Sequence, residues 1–110
     1  GSSQCEKPYE ASLFNISAMS YGSLSKNATL ALNNGAKQGG TYHNTGEGGL
    51  SPYHLQGGDV VWNIGTGYFS CRTDEGKFNY EEFAQRRTLD NGKMIETKLS
   101  QGAKPGHGGI

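Results

Sequence analysis

The stretch Lys98-Leu99-Ser100-Gln101-Gly102-Ala103-Lys104-Pro105-Gly106-His107-Gly108-Gly109 sets two lysines, an amide and a histidine on backbone that glycine lets come close to a ligand. Such a loop suits an anionic guest. Upstream, Thr45-Gly46-Glu47-Gly48-Gly49 places one carboxylate among glycines, as a site that steers a proton or holds a lysine would; a plain glycine-rich surface turn is the alternative. Other chemistries find no support. Gly65-Thr66-Gly67-Tyr68-Phe69-Ser70 lacks the third glycine of a dinucleotide fingerprint, and the phosphate-loop pattern is absent. His43, His54, His107, Cys5 and Cys71 show none of the usual ligand spacings, so no metal is expected, and neither cysteine has a motif that supplies a base. Trp62, Tyr68 and Phe69 read as core.

These residues need elements to carry them. Leu13 to Met19 is a short apolar run that stops at Tyr21-Gly22 and reads as a buried strand. Ser23-Leu24-Ser25 offers an N-cap. Beyond it, Ala28, Ala31, Leu32, Gly35, Ala36 and Gly39 recur at helical spacing, which predicts a helix with a small-residue face, ended by Gly39-Gly40. Thr41 to Asn44 fits a second strand. Asp59 to Ile64 is read as about a turn and a half of helix, and Tyr68 to Cys71 as a third strand. Asn79 with Glu82 resembles a capping box opening a helix from Tyr80 to about Arg87, and Lys93 to Leu99 is the fourth strand. Alternation puts Met94, Glu96 and Lys98 on one face of that strand and Ile95, Thr97 and Leu99 on the other. If the apolar face meets helices, Glu96 and Lys98 point into an interior; an edge strand with solvated charges is the equal alternative.

Strands alternating with helices through glycine-rich loops predict an α/β fold of βαβ units with parallel strands and right-handed crossovers. About four such units make half of a (βα)8 barrel, with residues 1–110 as one continuous piece. Ligands in such folds sit beyond the carboxyl ends of the strands, where the unusual residues fall.

The composition limits the partners. The 110 residues hold 18 glycines and a hydrophobic fraction of 33%, so apolar area is scarce and a thin core is expected. Ten Lys and Arg balance ten Asp and Glu, leaving no global field for nucleic acid or an anionic membrane. Two cysteines far apart predict a reducing, cytoplasmic setting rather than a secreted disulfide scaffold, and no apolar run approaches a bilayer span. The sequons at Asn15 and Asn27 lie in segments read as strand and helix and are taken as chance matches.

Three stretches resemble the synthase domain of glutamate synthases and of the shorter FMN-binding glutamate-synthase-related proteins: Ile16-Ser17-Ala18-Met19-Ser20-Tyr21-Gly22-Ser23-Leu24-Ser25, Asn44-Thr45-Gly46-Glu47-Gly48-Gly49, and Ile95 through Gly109. With Ser51-Pro52-Tyr53-His54 and Gly65-Thr66-Gly67-Tyr68-Phe69, the likeness covers nearly the whole chain and is nearest to the shorter proteins. The resemblance implies the amino-terminal half of a (βα)8 barrel whose carboxyl face binds FMN and reduces the imine of 2-oxoglutarate to glutamate. It implies that the Ser17, Ala18, Met19 and Ser20 backbone lies against the flavin, that Lys98 and Gln101 contact flavin or substrate, that Lys104 holds a substrate carboxylate, and that Glu47 sits beside the substrate. A 3Fe–4S cluster also belongs to the family, with its cysteine ligands outside this chain. His107 stands where the large glutamate synthases have Glu, whereas shorter relatives often have His. The resemblance predicts a piece of a flavoenzyme acting on a small-molecule substrate of the 2-oxoglutarate and glutamate type. The alternatives are a non-catalytic half-barrel that self-associates through exposed edges and a small anion-binding module on the lysine-glycine loop.

Overall fold

A computed structural model describes residues 4, 8–22, 24–86 and 92–102. Its centre is β2, Asp59–Ile64, flanked by β1, Tyr42–Asn44, and β3, Gly92–Thr97, both parallel to it. Helix α1 spans Lys26–Gly39 and α2 spans Tyr80–Arg86. A single 3-10 turn, Pro52–His54, lies between β1 and β2. The fold is therefore α/β with a small open parallel sheet. That is compatible with part of a barrel, and closure is not seen among the described residues.

The segment Asp59–Ile64 is a strand and not the helix expected from sequence. Val60 through Ile64 are all buried, because a central parallel strand is covered on both faces and needs no alternation. Its β-branched and aromatic side chains suit the pleat. Tyr68 to Cys71, expected as a strand, is instead a turn: Tyr68 and Ser70 have φ of 55° and 73°, which no strand accommodates. Tyr68 N–H and Cys71 N–H donate to the Gly65 and Tyr68 carbonyls. The expected first strand contributes one parallel bridge, Ile16 with His43, made by Ile16 N–H to Tyr42 O and Asn44 N–H to Ile16 O.

Helix α1 starts where expected. Ser25 accepts from Ala28 N–H, and Gly40 at φ 68° supplies the left-handed cap. Its buried face differs from the small-residue stripe: Thr29, Asn33 and Ala36 are inside, whereas Ala31, Gly35 and Gly39 are exposed. Polar side chains can occupy that face because the chain satisfies them. Thr29 Oγ1 donates to Ser25 O, and Asn33 Nδ2 donates to His54 O at 2.7 Å while its Oδ1 accepts from Gln56 and Gly58 N–H. Helix α2 is capped by Asn79 Oδ1, which accepts from Glu81 and Glu82 N–H; Asn79's own N–H goes to Cys71 O, so Glu82 is not needed to close a reciprocal box.

On the helix side of the sheet, Trp62, Ile64 and Cys71 form the apolar core, packed by Leu50, Phe78 and Phe83. Phe83 brings α2 onto Trp62 at 5.7 Å between ring centroids. Tyr68, expected as core, is 39% exposed, its ring meeting Phe78 edge-on. At the amino end of β2, Tyr9 donates to Asp59 Oδ2 at 2.8 Å, and burial with that carboxylate pushes its hydroxyl up to about 12. Strand β3 is an edge, with Met94 and Ile95 both more than a third exposed.

Candidate functional site

Each strand ends in one of the motifs singled out in the sequence. Glu47 follows β1, Gly65 follows β2 and Lys98 follows β3, so parallel alignment delivers all three to the carboxyl edge of the sheet. There Lys98 Nζ lies 3.2 Å from Glu47 Oε2, with 37% and 31% of the two side chains exposed. Glycine permits this approach. A Cβ on Gly65 would stand 2.7 Å from the Glu47 Cβ, and Gly46, at φ 70°, has Ser20 N only 2.6 Å from where its Cβ would be. The glycine-rich loop thus rests on the Met19-Ser20 backbone.

Behind the pair sits a carboxylate with two amides. Glu96 Oε2 accepts from Asn44 Nδ2 at 3.1 Å, and Glu96 Oε1 accepts from Asn63 Nδ2. Asn44 Oδ1 in turn accepts from Gly46 N–H at 2.9 Å, holding the residue next to Glu47. Thr45 Oγ1 accepts from Asn63 N–H at 3.1 Å, tying the same loop to β2. Glu96 therefore lies on the same face of the sheet as Asn44 and Asn63, but it is exposed, as is every β3 residue after Gly92, which is what the reading of an edge strand with solvated charges describes.

Two acceptors there lack donors. Asn63 Oδ1 and Gln101 Oε1 are buried without a hydrogen-bond partner among the described residues. Of the remaining site residues expected from sequence, Met19 and Ser20 are half-buried against the loop, and Ser17 and Ala18 are exposed beside them. Lys104, His107 and Cys5 lie outside the described residues. Sequence reasoning missed Asn44 and Asn63, the latter because its segment was read as helix, which hides the face a strand residue takes.

On the opposite face, His43 and His54 are fully buried with ring centroids 5.1 Å apart. Asn33 Nδ2 lies 3.3 Å from His43 Nδ1, and Ser51 N–H donates to His54 Nδ1. Burial holds both imidazoles below their usual range. His54 falls to about 4, through burial first and the neighbouring His43 second, with the Met19 backbone opposing weakly from outside full hydrogen-bond geometry. Among the described residues no group of three or more His, Cys, Asp or Glu could hold a metal ion, and no helix is long and apolar enough to cross a membrane.

The family model described as a conserved region in glutamate synthase matches residues 2–110. The chain belongs to the glutamate synthase family. It is 51% identical over 107 residues to the glutamate synthase large subunit-like protein YerD of Bacillus subtilis, covering 94% of this chain and 20% of that protein. It is 40% identical over 96 residues to the archaeal-type glutamate synthase (NADPH) of Thermotoga maritima, covering 86% of this chain and 16% of that one. The glutamate synthase (NADPH) large chain of Bacillus subtilis is 34% identical over 103 residues. The chain thus spans a fifth or less of the relatives it matches. No solved structure gives a significant match. In this chain the Glu47 and Lys98 motifs meet in space, though they lie 51 residues apart in sequence.

Proposed function

We propose that this chain contributes the Glu47, Lys98 and Gln101 side of an FMN-binding site in a glutamate-synthase-type (βα)8 barrel, acting on the imine derived from 2-oxoglutarate in a cytoplasmic enzyme. The observation that carries the reading is the meeting of Glu47 and Lys98 at the carboxyl edge, with the buried Asn63 Oδ1 of the strand between them lacking a donor among the described residues. Those features fit a flavin. Its ring offers carbonyl oxygens to a cation and an N–H to a buried acceptor. Lys98 would hold the electron-rich edge of the ring, Gln101 would bond it, and the Ser17–Ser20 backbone would lie along its plane. FMN bound there would, in its reduced form, supply the hydride for imine reduction.

Glu47 holds Lys98 in place and stands ready to keep a proton at the substrate nitrogen, while Lys104 would receive a substrate carboxylate. Two cysteines in the sequence are too few for a 3Fe–4S cluster, so no part of the proposal runs through one. Titration of the chain with FMN tests the reading: a quenched and shifted flavin spectrum is expected, with Lys98→Met weakening it about tenfold, the size of one lost charge-assisted bond. A spectrum identical to free flavin at high protein concentration overturns it.

The exposed β3 edge, with Leu99 92% exposed beyond it, supports a second reading in which the half-barrel pairs with another copy through that edge. Sedimentation showing a monomer at all concentrations would remove that reading.

A further inference from the structure

The Glu96 carboxylate is acceptor-only when ionised, so it dictates which end of each neighbouring amide faces it. Both Asn44 and Asn63 must present Nδ2 to Glu96, and each must then aim Oδ1 elsewhere. The two amides differ in what they find. Asn44 Oδ1 receives Gly46 N–H, so both its ends belong to the fold. Asn63 is 5% exposed, and its backbone N–H is fixed by Thr45 Oγ1, yet its Oδ1 receives no donor from the described residues. A flip would supply a donor at that position but would turn oxygen against carboxylate. The polarity is locked, and an acceptor is left open on the strand between Glu47 and Lys98.

We infer that Glu96 is a positioning residue which orients Asn63 so that its Oδ1 accepts a hydrogen bond from an N–H donor of the bound heteroaromatic ligand, while the same carboxylate, through Asn44 and Gly46, holds the Glu47 loop. This rests on the flavin reading above. In the oxidised flavin ring the N–H available is at N3, which makes the partner specific. Gln101 Oε1, the other buried acceptor without a donor among the described residues, follows β3 in the chain and takes no part in this inference.

The test compares FMN with N3-methyl FMN on the wild-type chain, Asn63→Leu and Glu96→Gln, reading flavin fluorescence quenching and, in parallel, circular dichroism. Wild type should bind FMN about tenfold more tightly than the methyl analogue, the value of one hydrogen bond to a buried acceptor. Asn63→Leu should bind the two alike. Glu96→Gln should also lose the discrimination, because its amide offers a single acceptor oxygen, and Asn63 can turn while Asn44 is tied to Gly46. Equal binding of the two flavins by wild type overturns the inference while leaving flavin binding intact, and it needs no variant to fold. Discrimination that persists in a folded Asn63→Leu overturns it too. If wild type binds neither flavin, the functional reading falls and this inference with it.

Discussion

The two faces of the sheet both carry buried amides, and they use them differently. On the α1 face, Asn33 serves His54 O, Gln56 N–H, Gly58 N–H and the His43 ring, all provided by the chain. The open ends there, the Nε2 atoms of two fully buried histidines, are sealed from solvent. On the other face, Glu96 and Asn44 are likewise satisfied, but Asn63 Oδ1 is left open within reach of a strand end where Lys98 and Glu47 stay about a third exposed. Burial of polarity therefore does not by itself mark a site. What separates them is an open, oriented group next to solvent-accessible charge.

The contrast is most easily broken at its centres. Asn33→Leu strips partners from two N–H groups and a carbonyl, and it should lower unfolding free energy by about 3 kcal/mol or more in urea titrations. Asn63→Leu, on the Glu96 face, should cost no more than about 1 kcal/mol in the same measurement, because Glu96 can turn to water. Equal losses would remove the distinction.

Acid should attack the α1 face next. Both histidines are depressed in the folded chain, so the unfolded chain binds more protons below its own histidine range. Stability is then complete above about pH 6.5 and falls as pH drops towards 4, by up to roughly 3 kcal/mol from His54. Melting temperature across that window measures it, and a flat profile, or one unchanged in His54→Gln, would contradict the assignment.

Smaller effects follow at the loop. Gly46→Ala forces a Cβ against Ser20 N at a left-handed φ and should destabilise by about 2 kcal/mol, seen as an earlier thermal transition. Glu47→Gln removes a half-exposed ion pair, whose contribution to folding is about 0.5 kcal/mol or less. That variant should melt with wild type while altering flavin or substrate binding; a large stability loss would make Glu47 a structural residue.

Much of this is legible in the sequence. The cap at Ser25, the stop at Gly40, the short β1 and the start of α2 follow from local chemistry that acts within a few residues. So did the suggestion that Glu47 holds a lysine. The errors arose where tertiary burial decides. Val60 to Ile64 lacks alternation because both faces are covered, and the polar Thr29 and Asn33 face inward because partners far along the chain satisfy them. Asn63 could not be assigned a role until its strand was known. The positive φ of Tyr68 and Ser70 had no glycine to announce it.

The parallel sheet also sets an order of assembly. With no hairpin in the sheet, every pairing joins residues well separated in sequence: Tyr42 with Asp59, Ile16 with His43, Val60 with Gly92. Loop closure costs more entropy as the loop lengthens, so β1 and β2 should meet first and β3 last. Lys98 arrives only with β3, the strand with the longest loop to close, so the Glu47–Lys98 pair is expected to be the last of these contacts to form.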